Sequence, residues 1–173
     1  MSKHEIRRIT LSASVAALYA VLSYFSSIFG MAYGPVQFRF AEALTILPFL
    51  FPETAPGLLI GCLIANLLSP YGLTDMVFGS LATALAAFLT AKMPNRWLAP
   101  LPPVLINGVI IGAMLAWYSA GFGPGFWPLF AVNGAEVAAG EIGACYGLGM
   151  LLLVLIPKIP YFKPMISPAR LTH

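Results

Sequence analysis

From Ile9 to Ile156 the chain is a succession of apolar runs, each about 14 to 27 residues long, separated by short punctuation rich in Pro and Gly. Most of these runs are long enough for a helix to cross a ~30 Å hydrocarbon layer. A backbone in lipid must satisfy its own hydrogen bonds, so such runs form helices rather than open strands. The charge count points the same way. Only 9% of the 173 residues are charged, against roughly 25% in a soluble domain. The chain therefore reads as an all-α integral membrane protein, with residues 1–173 forming one membrane domain and almost nothing left for an extramembrane one.

Hydropathy and punctuation predict six transmembrane helices, at about 9–29, 38–51, 55–69, 73–91, 100–119 and 130–156. The intervening GMAYGP, FPETAP, SPYGLTD, KMPNRWLAP and GFGPGFWP combine turn formers with polar or aromatic residues, as suits a membrane interface. Glycine pairs four apart, Gly57/Gly61, Gly108/Gly112 and Gly143/Gly147, are positioned to let helix backbones approach closely, so a compact bundle is expected. The first run is longer than the apolar region of a signal peptide and lacks a small-x-small cleavage site, so it reads as an uncleaved helix.

Lys3, Arg7, Arg8, Lys92, Arg96, Lys158, Lys163 and Arg170 all fall on one side of a six-span bundle. The positive-inside rule makes that side cytoplasmic, with both termini on it, and gives a multi-pass protein of the bacterial cell membrane. The basic residues form no stripe, which argues against nucleic acid as a partner. Arg39 alone lies toward the outer end. It stands in YGPVQFRFAEALTILPFLF, whose apolar run from Phe38 to Phe51, about 14 residues, is too short to cross unaided and is interrupted by Pro48. A short, Pro-broken segment beside charges points to a binding site.

Ionisable groups inside a membrane are costly and functional by default, so the few present narrow the search. Arg39 and Glu42, three residues apart, share a helix face and form either a self-neutralising pair or ligand contacts. Glu141 is deep in the sixth run and is read as facing the interior, whereas Glu136, about 140° away around the helix, is placed off the pocket. Asn66, Asn107 and Asn133 suit either interhelical hydrogen bonds or a ligand. Tyr33, Gln37, Tyr71, Trp117, Tyr118, Phe126 and Trp127 gather on the outer side, where aromatics form an interface belt or a lid that stacks on a flat ring. Asp75 reads as the cap of the fourth helix, Glu53 as part of a turn, and Cys62 and Cys145 as small buried side chains. No His/Cys cluster, nucleophile–base pair or phosphate loop is present, so no catalytic residue, metal or cofactor is assigned.

The stretches YGPVQFRFAEAL, PGLLIGCLIANLLSPYG followed by DMVFGSLAT, LAPLPPVLING and GEIGACYGLG together resemble the QueT group of queuosine-precursor transporters, over most of residues 16–150. Ala41 stands where that pattern has a small hydroxyl residue, and the tail after Pro157 adds no match. The resemblance implies the substrate-binding S component of an energy-coupling factor importer, a six-helix bundle that assembles with a transmembrane coupling subunit and two cytoplasmic ATPases. It implies a flat 7-deazaguanine ligand, such as queuine or 7-aminomethyl-7-deazaguanine, held near the outer face. The expected contacts are Arg39, Glu42, Glu141, Asn66, Asn107, Tyr33, Gln37 and Trp127, with the two carboxylates accepting from the ligand's donors. It further implies that Ala13, Ala16, Ala17 and Ala20 on the first helix meet the coupling subunit, ordinary packing within the bundle being the alternative. Two rival functions are an S component for another vitamin-like heterocycle and a stand-alone facilitator or channel. A channel needs a polar stripe through the inner half, which this chain lacks.

Overall fold

The computed structural model describes residues 2–32 and 37–171, which are helical throughout their regular structure. Helix α1 (Lys3–Ile28) starts at a reciprocal cap, in which the Ser2 hydroxyl accepts from the Glu5 amide and the Glu5 carboxylate accepts from the Ser2 amide. Its 26 residues span about 39 Å, enough to cross a bilayer core with length to spare. Three more helical stretches are long and apolar enough to cross: α3 (Leu73–Thr90), α4 (Leu101–Ala120) and the continuous run Phe126–Lys158. That run comprises α5 (Phe126–Glu141), a π-helical stretch (Ile142–Gly149), α6 (Met150–Leu155) and a short turn.

The two remaining segments are shorter. Residues Phe40–Phe49 form a 3-10 helix of about 20 Å, and α2 (Ala55–Asn66) covers about 18 Å. Ten residues of 3-10 helix is unusual, since runs beyond three or four are uncommon. Its local cause is visible in part. Pro48 has no amide to return to the carbonyl of Leu44, so an α-helix is interrupted there. The Thr45 hydroxyl donates to the Glu42 carbonyl at 2.6 Å, tying the same turn from the side chain. Its start is fixed by the Phe40 amide, which donates to the Ser26 hydroxyl of α1 at 2.9 Å.

This 3-10 helix is the axis of the molecule. Every residue from Ala41 to Phe49 is buried, packed by α1, α3, the π stretch and α6. Around it lie Tyr19, Leu58 and Cys62 at mid-depth, and Phe51, Leu153 and Ile166 at the basic end. The outward surfaces are apolar, as at Val21, Leu73 and Leu81, which suits lipid rather than water.

Close backbone contact is achieved where glycine leaves room. A side chain at Gly57 would strike the Ser12 backbone, and one at Gly61 would sit 2.7 Å from the Ala16 carbonyl, so α1 and α2 lie against each other. At Gly112 an added carbon would be 2.6 Å from the Gly134 Cα, which brings α4 onto α5. The third expected pair behaves differently. Gly143 faces the ring of Phe38, and nothing lies within 4 Å of a side chain placed at Gly147.

Candidate functional site

The polar residues converge where the entry to the 3-10 helix meets α3, α4 and α5. Glu42, in the first turn of that helix, is 5% exposed although it lies among apolar segments. One of its oxygens, Oε1, accepts from the hydroxyl of the fully buried Tyr19 of α1 at 2.5 Å. The other, Oε2, is buried with no hydrogen-bond partner. A buried acceptor left unmet costs about 1–3 kcal/mol, and more when charged. Across the cavity Glu141, the last residue of α5, accepts from the Asn107 amide at 2.5 Å. Its second oxygen is 3.4 Å from the Cys145 sulfur, which also lies 3.3 Å from the Glu42 carbonyl. The π stretch begins at the next residue, Ile142, and such expanded turns are frequent at functional sites.

Arg39 stands at the N-terminal end of the 3-10 helix and reaches toward α2 and α3. It forms an ion pair with Asp75 at 3.5 Å and donates to the Asn66 side-chain oxygen at 3.4 Å. Asn66 in turn donates to the Asp75 backbone carbonyl at 3.0 Å. The reading of Asp75 as the cap at the start of the fourth helix is thereby corrected. Gly72, with φ of 59°, occupies the cap position, and the Asp75 side chain makes no capping bond and is 1% exposed. A carboxylate buried that far requires a cation, and Arg39 supplies it.

Between these groups is a cavity of about 20 Å³, room for one water. Gln37, Arg39, Glu42, Asn107 and Glu141 line it, so five of the expected contacts come together. Asn66 lies behind the wall, bound to Arg39 and Asp75. Trp127 is 71% exposed and joins an aromatic group with Phe126 and Phe130 away from the cavity. Tyr33 lies outside the described residues. Glu136 and Asn133 are half-buried and do not line the cavity.

Sequence reasoning missed Tyr19, Asp75, Cys62 and Thr83. The Thr83 hydroxyl donates to the Cys62 sulfur at 3.3 Å, and both side chains form cavity wall. A signal for the α3 pair was present. Asp75, Gly79 and Thr83 recur every four residues, which makes a polar, small-residue row on an otherwise apolar helix. Gly79 is required in that row, because a side chain there would lie 2.6 Å from the Asn66 amide.

On the first helix the four alanines divide. Ala13 and Ala17 are exposed, whereas Ala16 is buried against Gly61 of α2 and Ala20 is half-buried.

A family model described as QueT transporter matches residues 9–158 of this chain. A relative in Lactococcus lactis subsp. cremoris (strain MG1363), the queuosine precursor transporter QueT, is 36% identical over 97 residues. That stretch is 56% of this chain and 57% of the relative's length. No solved structure matches.

Proposed function

The chain belongs to the QueT transporter family, and from that premise we propose that it captures a queuosine precursor outside the cell for ATP-driven uptake. The family consists of transporters, not enzymes, and the protein is a multi-pass protein of the bacterial cell membrane. In this reading it is the S component of an energy-coupling factor importer, working with a transmembrane coupling subunit and two ATPases. Residues 1–173 form one domain in which all six helical segments traverse the bilayer. Both termini are cytoplasmic, which agrees with eight of the nine lysines and arginines falling on their side.

The observation that carries the ligand assignment is the unmet Glu42 Oε2 beside a cavity whose far wall is Glu141 and Asn107. A 7-deazaguanine such as queuine or 7-aminomethyl-7-deazaguanine offers what that wall lacks. Its ring N–H and amino edge donate to a carboxylate, its carbonyl accepts from an amide, and its exocyclic ammonium pairs with the second carboxylate. The cavity is far smaller than the about 300 Å³ or more of a typical ligand pocket. Binding therefore requires the cavity to widen.

Titration calorimetry on the protein purified without partners tests the ligand. Saturable heat from either deazaguanine and none from adenine is the expected result, and no saturable heat from either deazaguanine overturns the reading. For the partner, Ala13 and Ala17 are the part of the small-residue face left open on α1. Replacing both with Leu should prevent co-purification with the coupling subunit while leaving the calorimetric binding intact. Unchanged yield of the complex would place the docking face elsewhere.

A further inference from the structure

At the basic end of the bundle a groove of about 400 Å³ runs between the close of the C-terminal helical run and the tail that follows it. Four cations line it, Arg96, Lys158, Lys163 and Arg170, and among the described residues no carboxylate does. Arg170 is already engaged. Its two terminal nitrogens donate to the backbone carbonyls of Ala91, at 2.7 Å, and Met93, and its guanidinium lies 4.5 Å over the Phe49 ring. That residue therefore fastens the tail over the end of α3, satisfying carbonyls the helix leaves open.

The other three have no carboxylate partner among the described residues, and the Arg96 guanidinium lies 5.7 Å from the Trp97 ring centroid. Among the described residues the side-chain ion pairs are Arg8 with Glu53 and Arg39 with Asp75, and neither involves this groove. The Arg96 Nε is buried without a hydrogen-bond partner. A donor in that state calls for an acceptor, and three unpaired cations around one groove call for an anion.

The walls say which kind. Leu50 and Leu153 form the buried floor of the groove, and Val154 on its wall continues into the exposed, lipid-suited face at Leu151 and Leu155. Trp97, against the groove-lining Arg96, is 63% exposed, as aromatics are at headgroup level. A free phosphate would meet the cations but leave the apolar wall uncovered. A phospholipid covers both, with its headgroup phosphate among the cations and its acyl chains along Val154 and the exposed face at Leu151 and Leu155. We propose that this groove is a binding site for an anionic phospholipid, of the phosphatidylglycerol or cardiolipin kind. The site is remote from the Glu42 cavity and does not depend on the ligand assigned there.

The test is native mass spectrometry of the full chain released from vesicles containing equal amounts of phosphatidylglycerol and phosphatidylcholine. The unaltered protein should retain the anionic lipid with about 10-fold or greater preference, given the strength of Lys and Arg attraction to anionic headgroups. Arg96→Gln with Lys158→Gln and Lys163→Gln should abolish that preference, while Arg170 is left to hold the tail. The pair Lys158→Gln and Lys163→Gln, both on exposed side chains, gives the same direction of change if the triple variant does not fold. Lys92→Gln removes an exposed cation outside the groove and should change nothing. Equal retention by the triple variant, an equal loss in Lys92→Gln, or release of the lipid by inorganic phosphate would each overturn the proposal.

Discussion

Two groups of polar side chains are buried around the entry to the 3-10 helix, and they differ in whether a buried carboxylate has a cation beside it. Arg39, Asp75 and Asn66 hold one another: the guanidinium faces the Asp75 carboxylate at 3.5 Å, and the Asn66 amide accepts from Arg39 and donates to the Asp75 backbone carbonyl, so that Asp75 Oδ2, which has no hydrogen bond, still has a cation beside it. Glu42 and Glu141 lie on opposite sides of a cavity, each with one strong donor, Tyr19 or Asn107, and Glu42 retains an oxygen with none. In a low-dielectric interior a compensated set is a rigid strut, and an uncompensated one is a place where a ligand gains by arriving. The difference separates scaffold from site among residues that look alike in the sequence.

The largest effect is expected on the strut. Arg39→Leu leaves Asp75 charged and buried without its cation, a loss that typically costs about 3–5 kcal/mol. The melting temperature in detergent should fall sharply, and adding Asp75→Leu should recover much of it because both charges then leave together. If Arg39→Leu melts like the parent and only ligand binding suffers, the strut belongs to the site and the distinction fails.

Tyr19→Phe acts on the boundary between the groups. It deletes the hydroxyl that holds Glu42 Oε1, a hydrogen bond to a charged acceptor of about 1.5–3 kcal/mol. Stability should fall by that order, while the carboxylate itself remains, so affinity should drop less than about 10-fold. A larger loss of affinity than of stability would mean that the tyrosine contacts ligand directly. The smallest effect belongs to Trp127→Ala. This side chain is largely exposed and away from the cavity, and surface changes of that kind stay within about 0.5 kcal/mol, roughly a 2-fold change in affinity. A loss well beyond that in calorimetry would restore the aromatic lid.

Arg39, Glu42, Asn107, Glu141 and Gln37 were legible in the sequence because a membrane makes every polar residue conspicuous. Membrane depth alone did not distinguish their partners. Tyr19 looks like any aromatic in an apolar helix, and its hydroxyl finds Glu42 only through tertiary packing. Asp75 sits in the first turn of α3, the usual place for a capping carboxylate, and only the Gly72 cap shows that the role is already filled. Trp127 is a different case, since a dense group of aromatics reads the same whether it covers a pocket or faces lipid, and here it is largely exposed and apart from the cavity. The helical segments themselves were readable from apolar length and Pro/Gly breaks. The 3-10 form of Phe40–Phe49 was not, because only Pro48 marks it locally and the rest comes from neighbours packed on every side.

The account rests on Glu42 being a ligand contact, and one pair of variants tests that most directly. Glu42→Gln and Glu141→Gln keep volume but turn one acceptor oxygen into a donor that faces the ligand's own donors. Loss of one partner from a buried charged hydrogen-bond pair costs about 2–5 kcal/mol, which is about 30-fold or more in affinity over most of that range. Calorimetry with 7-aminomethyl-7-deazaguanine, run beside thermal melting, should show that loss in both variants with the fold retained. Folded variants that bind the deazaguanine as tightly as the parent would contradict the account.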